Sequence, residues 1–401
     1  MLYSQVFKLE NIFYTEFMKN LWRQIRAKQY DYQPLVKVNV YREHLLHNYL
    51  FFKNKSELAV APVLKSNAYG HGLVPLAQIM ERERPPFMVV DSYFEAMILR
   101  NEGIKASILV IGYTKLANIR HNGLSGVAFT VTDMDWLRQL AKITKRPVKI
   151  HLKIDTGMNR QGIEMGEVAE GIRIIKNNKH LVLEGICSHL ADGDNCDVGF
   201  TKKQIKRWNN IVRQVGGELP ELKFWHLGAS SSLFFKDKIY ANVMRLGLSL
   251  YGIQADAKIY NPLKPALQVE TSITSVRRVK QGEKIGYNCT YAAPRDMMVA
   301  TIPFGYNEGM DRRLSNQGWV KVNGDYCPIV GRVSMNITSI DISNIVEAGH
   351  DPPVSFLEMP VEVISPVADD KNSIESIAKL CGTIPYEIMV HLPEKLRRVV
   401  V

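Results

Sequence analysis

The stretch Val60-Ala61-Pro62-Val63-Leu64-Lys65-Ser66-Asn67-Ala68-Tyr69-Gly70-His71-Gly72 decides how the chain reads. The apolar run 58–64 ends in a lysine and passes at once into small and polar turn residues, which is how a buried parallel strand delivers a side chain to its open end. Burial there would penalise the ammonium form of Lys65, lower its pKa and leave an amine able to attack an aldehyde. Taken alone, a lysine in this place caps a strand more often than it reacts.

Outward from this stretch the pattern repeats. Strand-like apolar runs recur at 87–91, 107–112, 126–131, 148–154, 181–188, 223–227 and 243–248, and helix-patterned segments such as 92–101, 133–145, 167–179 and 201–215 separate most of them. Eight strands alternating with helices predict a (β/α)8 TIM-like barrel, whose reactive groups collect at the C-terminal ends of the strands. Upstream, Val36, Val38 and Val40 share one face of a short strand, and 42–53 reads as a helix. Downstream of about 265 the runs 268–280, 297–302, 319–322 and 329–334 are short, alternating and divided by Gly, Pro and Asn, which predicts a mainly antiparallel β domain over 266–401. The barrel then takes 35–265. Residues 1–34 carry Leu2, Val6, Leu9, Phe13, Phe17, Leu21 and Ile25 at three-to-four spacing, so that extension is expected to be helical.

The 401 residues suit two domains, and 46% hydrophobic with 23% charged residues suits an ordinary globular chain with a sizeable core. The formal net charge of +11 raises nucleic-acid binding. Scattered lysines and arginines, without a basic block or an aromatic RNA-binding motif, speak against it. Five cysteines, Cys187, Cys196, Cys289, Cys327 and Cys381, show neither metal-ligand spacing nor an even count for disulfides, so no metal site and a reducing, cytoplasmic location are expected. No apolar run approaches the roughly 18 residues of a membrane span, and 1–34 lacks the form of a secretory signal.

The lysine stretch resembles the V-x-K-x-N-A-Y-G-H-G motif of the alanine racemase family, and the resemblance continues in order over about 35–400. It implies a pyridoxal 5'-phosphate enzyme. Lys65 would hold the cofactor covalently and Tyr69 would contact its phosphate. The resemblance also places the early strand, about 36–41, with the second domain. His151-Leu152-Lys153-Ile154-Asp155-Thr156-Gly157-Met158-Asn159-Arg160 resembles L-K-x-D-T-G-M-x-R. There Arg160 would bond the cofactor's phenolate oxygen and assist substrate binding, while a carbamylated Lys153 would pair with it, since a carbamate attracts a guanidinium that an ammonium repels. Cys187-Ser188-His189-Leu190-Ala191-Asp192-Gly193-Asp194 resembles T-H-F-A-x-x-D, with His189 stacked on the cofactor ring and Asp194 along the entrance. Trp225-His226-Leu227-Gly228-Ala229-Ser230 resembles H-x-x-N-S, with Ser230 on the phosphate. Arg245-Leu246-Gly247-Leu248-Ser249-Leu250-Tyr251-Gly252 resembles R-x-G-x-x-L-Y-G. The N–H groups of Gly247 and Leu248 would complete the phosphate cup. Arg245 would face the pyridine nitrogen, where it cannot give up a proton and so favours racemisation over transamination.

Ile285-Gly286-Tyr287-Asn288-Cys289-Thr290-Tyr291 resembles S/G-Y-G-x-T-Y/F, whose first tyrosine is the second base. Racemisation returns a proton to the face opposite the one it left, so Lys65 and Tyr287 would serve opposite faces. A free phenol titrates near ~10, so the His189, Arg245 and His226 network would have to assist it. In the family this tyrosine comes from the other subunit, which implies a homodimer. Tyr306, in a run resembling I-P-x-G-Y-x-D-G, and the arginines Arg312 and Arg332 would line the entrance. Met335, in a run resembling P-I-x-G-R-x-x-M-D, would meet the substrate carboxylate through its N–H.

Three residues depart from the family pattern: Ala229 for asparagine, Asn336 for aspartate and Val400 for a tyrosine expected at the phosphate. Ala229 is expected to remove a polar contact near the phosphate, Asn336 an anion from the pocket, and Val400 to give a looser gate and weaker cofactor retention. The reaction expected is interconversion of L- and D-alanine for peptidoglycan synthesis. A racemase of broader specificity and a weakly catalytic cofactor-binding protein are the alternatives.

Overall fold

The computed structural model describes residues 32–193, 198–228, 238–254, 262–346 and 356–401. The chain forms two compact units, 1–35 and 36–401. The helix expected over 1–34 falls almost wholly outside the described residues. Every described strand and helix belongs to the second unit.

Eight parallel strands make the barrel: β2 (Ala59–Pro62), β3 (Met88–Val90), β4 (Ile108–Val110), β5 (Val127–Val131), β6 (Val148–Lys153), β7 (Leu181–Cys187), β8 (Phe224–His226) and β9 (Val243–Leu246). Strands β3 to β8 pair in sequence order, and β9 pairs with β2. The ring closes where Val63 bridges Val89 in parallel and where the Asn242 N–H donates to the Trp225 carbonyl at 3.1 Å. Each strand appears as an apolar run because helices cover its outer face: all five residues of β5, for example, are buried.

Two of the barrel helices begin at side-chain caps. Asp133 accepts from the Trp136 N–H at 2.8 Å to start the helix Met134–Ile143, which buries Met134, Trp136, Leu137 and Leu140. Ser92 and Glu95 form a complete capping box at the start of helix Tyr93–Asn101.

After β9 the architecture changes as expected. A six-stranded sheet runs in the order β16 (Asp325–Pro328), β15 (Trp319–Val322), β18 (Pro360–Ile364), β10 (Leu267–Ser272), β1 (Lys37–Val40), β19 (Arg397–Val400). A three-stranded sheet joins β11 (Ser275–Val279), β14 (Met297–Ile302) and β17 (Thr338–Asp341), and β12 (Lys284–Ile285) pairs with β13 (Tyr291–Ala292). The early strand β1 lies inside the large sheet, antiparallel to β10 and parallel to β19. Asn39 fixes its register by donating to Gln268 at 3.0 Å and Glu270 at 2.7 Å.

One expected strand is absent. Residues 329–334 form a loop, and the strand precedes them as β16. Gly331 has φ +79°, and a Cβ there would stand 2.8 Å from the Ile285 carbonyl oxygen, so the chain turns away from extended geometry to pass close to β12.

Candidate active site

Lys65 opens a turn of unusual backbone. Ser66, Asn67, Ala68 and Tyr69 all have positive φ, between 50° and 55°. Left-handed geometry costs L-residues about 1–2 kcal/mol each, so four in succession require support from elsewhere. Some comes from inside the turn: the Ala68 N–H donates to the Leu64 carbonyl at 2.7 Å, and Asn67 Oδ1 accepts from the Leu73 N–H at 2.8 Å. More comes from afar: the Ser66 N–H donates to Glu95 Oε1 at 2.7 Å, and the Arg398 guanidinium donates to the Gly70 carbonyl at 3.0 and 3.1 Å. Gly70 itself, at φ +80°, packs so closely that a Cβ would lie 2.1 Å from the Met389 carbonyl oxygen.

The turn carries half-buried Lys65 to the rim of a cavity of about 820 Å³ at the C-terminal end of the barrel strands. Nine of the residues expected at the site line it: Lys65, Tyr69, Lys153, Arg160, His189, His226, Arg245, Gly247 and Leu248. Asp194, Ala229 and Ser230 lie outside the described residues. Tyr287, Tyr306, Arg312, Arg332, Met335 and Asn336 do not line this cavity within one chain. They belong to the β part, where Tyr287 is 70%, Met335 56% and Tyr306 46% exposed.

Arg245 organises the cavity floor. Its guanidinium donates to His226 Nδ1 at 2.5 Å, to His189 Nδ1 at 3.2 Å and to the carbonyls of His226, Ser188 and Leu227 at 2.8 to 3.1 Å. A guanidinium has no acceptor, so both imidazole nitrogens facing it must be unprotonated. His226 then carries its proton on Nε2 and donates it to His151 Nδ1 at 2.8 Å. The chain is a set of neutral imidazoles hung on one cation. Burial first, then the charge of Arg245, pushes His151 and His189 down to about 3 and His226 well below its ordinary value.

His151 was not expected to act. Its only sign in the sequence is a polar residue in the middle of a buried strand.

Lys153 is also held below the ordinary lysine value, by burial first and then by Arg160 and Arg245, against an opposing effect of Cys187. At the opposite wall the Tyr69 phenol is buried and pushed upward by burial, Tyr386 and Asp91. A Cβ on Gly247 would stand 3.4 Å from the Tyr69 hydroxyl, so the glycine keeps a slot open between this phenol and the 3-10 turn Leu248–Tyr251.

The loss expected from Val400 is corrected here. Val400 sits in β19 paired with Val40 and does not line the cavity. Tyr386 does, with its ring centroid 5.6 Å from that of Tyr69, and a second phenol is therefore present at this wall.

Asn336 has a carboxylate partner. Its amide donates to Glu308 Oε1 at 2.9 Å, and Glu308 stands at the aspartate position of the neighbouring motif. The donor set, comprising the amines of Lys65 and Lys153, the guanidinium groups of Arg160 and Arg245, the phenols of Tyr69, Tyr113 and Tyr386 and the glycine slot, suits an aromatic aldehyde bearing anionic groups. Among the described residues no cluster of three potential metal ligands occurs.

Comparison with known proteins agrees over nearly the whole chain. Residues 40–255 match the family description "Alanine racemase, N-terminal domain" and 266–400 match "Alanine racemase, C-terminal domain". The chain is 33% identical over 373 residues to alanine racemase 2 of Caldanaerobacter subterraneus subsp. tengcongensis, covering 90% of this chain and 94% of that protein. It is 32% identical over 350 residues to the alanine racemase of Limosilactobacillus reuteri, covering 85% and 90%. Among solved structures, the alanine racemase of Bacillus anthracis with bound L-Ala-P superposes with a TM-score of 0.83 at 29% identity, covering 93% of this chain and 96% of that one.

Proposed function

Because the chain belongs to the alanine racemase family, a family of pyridoxal-phosphate enzymes, we propose that it interconverts L- and D-alanine with Lys65 and Tyr287 as its two bases. The single observation that carries this reading is the company Lys65 keeps: it shares one cavity with Arg245, whose two terminal amino groups donate to His226, His189 and backbone carbonyls. Lys65 would hold the cofactor covalently. Tyr69, Tyr386, Ser230 and the N–H groups of Gly247 and Leu248 would take its phosphate, Arg160 its phenolate oxygen, and His189 one face of its ring. Bound there, pyridoxal phosphate supplies an electron sink that loosens the substrate's α-C–H bond.

Arg245 faces the ring nitrogen in this reading and withholds a proton from it. That limits the sink and favours prompt return of the α-proton over side reactions. The neutral histidine chain holds the guanidinium in place without adding charge. Lys153, as its carbamate, would pair with Arg160.

The Lys65 amine and the Tyr287 phenol then take and return the proton on opposite faces. Tyr287 is exposed and outside its own chain's cavity, which is how a base serving a second copy would be displayed, and the assembly proposed is a homodimer with shared sites. The barrel of about 35–265 holds the cofactor, and 266–401 lends the partner its tyrosine. Tyr306, Arg312 and Arg332 would guard the entrance with Asp194 and Asn336, and the Met335 N–H with Arg160 would receive the substrate carboxylate. The four described cysteines are free thiols, in keeping with a cytoplasmic enzyme supplying D-alanine for peptidoglycan.

The test is incubation of the cofactor-loaded protein with L-alanine in heavy water, following enantiomer composition and α-deuterium together. Deuterated D-alanine that disappears when Lys65 or Tyr287 is replaced is the expected result. Bound cofactor with neither exchange nor inversion would sink the assignment.

A further inference from the structure

A run of left-handed residues such as Ser66 to Tyr69 persists only where its surroundings over-determine it. Its far end is gripped by Arg398 at the Gly70 carbonyl. At its near end, on the peptide immediately after Lys65, the Ser66 N–H donates to Glu95 Oε1 at 2.7 Å. Glu95 lies in the first turn of the helix Tyr93–Asn101, 29 residues away.

Its second oxygen, Oε2, accepts from the N–H groups of Asp91 at 2.8 Å and Ser92 at 3.0 Å, while the Ser92 hydroxyl accepts from the Glu95 N–H at 3.1 Å. A capping box needs one carboxylate oxygen on the N-cap peptide. Here the other oxygen reaches across to the lysine turn.

We propose that Glu95 is a positioning residue for Lys65: its carboxylate clamps the strained peptide that follows the lysine to the rim of the neighbouring strand and so sets the direction of the amine. The inference rests on the reading of Lys65 as cofactor anchor and base. It also separates two tasks of one side chain. A glutamine at this position has one acceptor and one donor end. Turning its oxygen toward Asp91 and Ser92 satisfies two N–H groups and keeps the helix cap, but leaves its amide facing the Ser66 N–H, donor against donor. Glu95→Gln therefore frees the lysine turn while sparing the cap. Ser92→Ala does the reverse, removing the hydroxyl of the box and leaving the Ser66 bond.

The experiment compares wild type, Glu95→Gln and Ser92→Ala, each loaded with pyridoxal phosphate. Borohydride reduction with peptide mass mapping locates the cofactor. Racemisation is measured in both directions with α-protonated and α-deuterated alanine, alongside melting temperature and the rate at which hydroxylamine strips cofactor from the lysine. For Glu95→Gln, kcat falls about tenfold to a hundredfold, the scale of a displacement of about 1 Å at a reacting group. Its isotope effect rises only in the direction in which Lys65 removes the proton, its stripping rate changes, and its melting temperature stays near that of wild type. Ser92→Ala melts lower and keeps its kcat.

Wild-type kinetics and isotope effects in Glu95→Gln overturn the proposal, as does a parallel loss of kcat and stability in both variants, which would make Glu95 a helix cap only. If the wild type carries no cofactor on Lys65, the parent reading and this one fall together. An adduct on Lys65 with an unmoved Glu95→Gln overturns the positioning role alone.

Discussion

Lys65 and Tyr287 both adjoin left-handed backbone, yet their surroundings are opposite. Lys65 is followed by Ser66 at φ 55° and lines a cavity whose walls its own chain supplies. Tyr287 is followed by Asn288 at φ 60° and Cys289 at φ 50°, and it stands 70% exposed on the β part. The barrel mouth is preorganised: Glu95, Arg398 and Asn67 hold the lysine turn, and Arg245 holds the histidines. The tyrosine turn has two left-handed residues against the lysine turn's four, and Tyr287 does not line that cavity. Strain at an exposed residue makes physical sense when the residue is presented to another surface, and this contrast is what the proposed homodimer resolves.

Replacing each proposed base tests the contrast most strongly. Lys65→Ala removes both the covalent anchor and one base, so racemisation should fall by about 10⁴-fold or more, and borohydride should no longer fix cofactor to the chain. Tyr287→Phe removes one proton transfer and should cost about 10²–10⁴-fold while cofactor attachment remains. Mixing the two inactive variants breaks or confirms the division of labour. A two-fold dimer of one chain of each type contains one intact site, so random exchange should restore about a quarter of wild-type activity. No restoration would mean that both bases act within one chain.

A smaller effect separates the regions by pH. His71 is held down to about 4 and His151 and His189 to about 3, chiefly by burial, whereas an unfolded histidine titrates at 6.5. As pH falls from 6.5 toward these values, the unfolded chain binds protons that the folded barrel refuses. Stability is therefore complete above 6.5 and declines below it. Thermal melting between pH 7 and 5 should shift downward, with the same slope in Tyr287→Phe and a shallower one in His151→Gln. A flat profile would contradict a buried neutral chain.

The smallest effect lies on the exposed side. Asn336→Asp exchanges an amide donor for a carboxylate against Glu308 and should destabilise by about 1 kcal/mol, read as a modest drop in melting temperature at neutral pH.

Much of the barrel was legible because a strand covered on both faces is mostly apolar and recurs in alternation with helix-patterned segments. All eight runs became strands, and the motif residues from Lys65 to Leu248 that are described came to one cavity. What stayed hidden was geometry without a compositional signal. Of Ser-Asn-Ala-Tyr only the asparagine favours left-handed backbone, so a run of four such residues after Lys65 could not be seen. Glu95 was readable as half of a capping box but not as the partner of a peptide 29 residues away. Tyr386 was passed over because nothing local distinguishes it from a core aromatic on a short helix, whereas Val400 drew attention by its motif position. The strand expected over 329–334 failed at Gly331, where a close approach to Ile285 outweighed alternation.

The bond from Arg398 to the Gly70 carbonyl joins residues 328 positions apart, and β19 completes its sheet only by lying beside β1. A ribosome makes these partners far apart in time. The lysine turn leaves the exit tunnel long before the arginine that braces it has been translated, so the nascent barrel can collapse while that turn is still unbraced. Competence then arrives late and at once, with the last strand. A chain interrupted before residue 397 would own every group of the cavity floor and still be unable to hold its lysine on target.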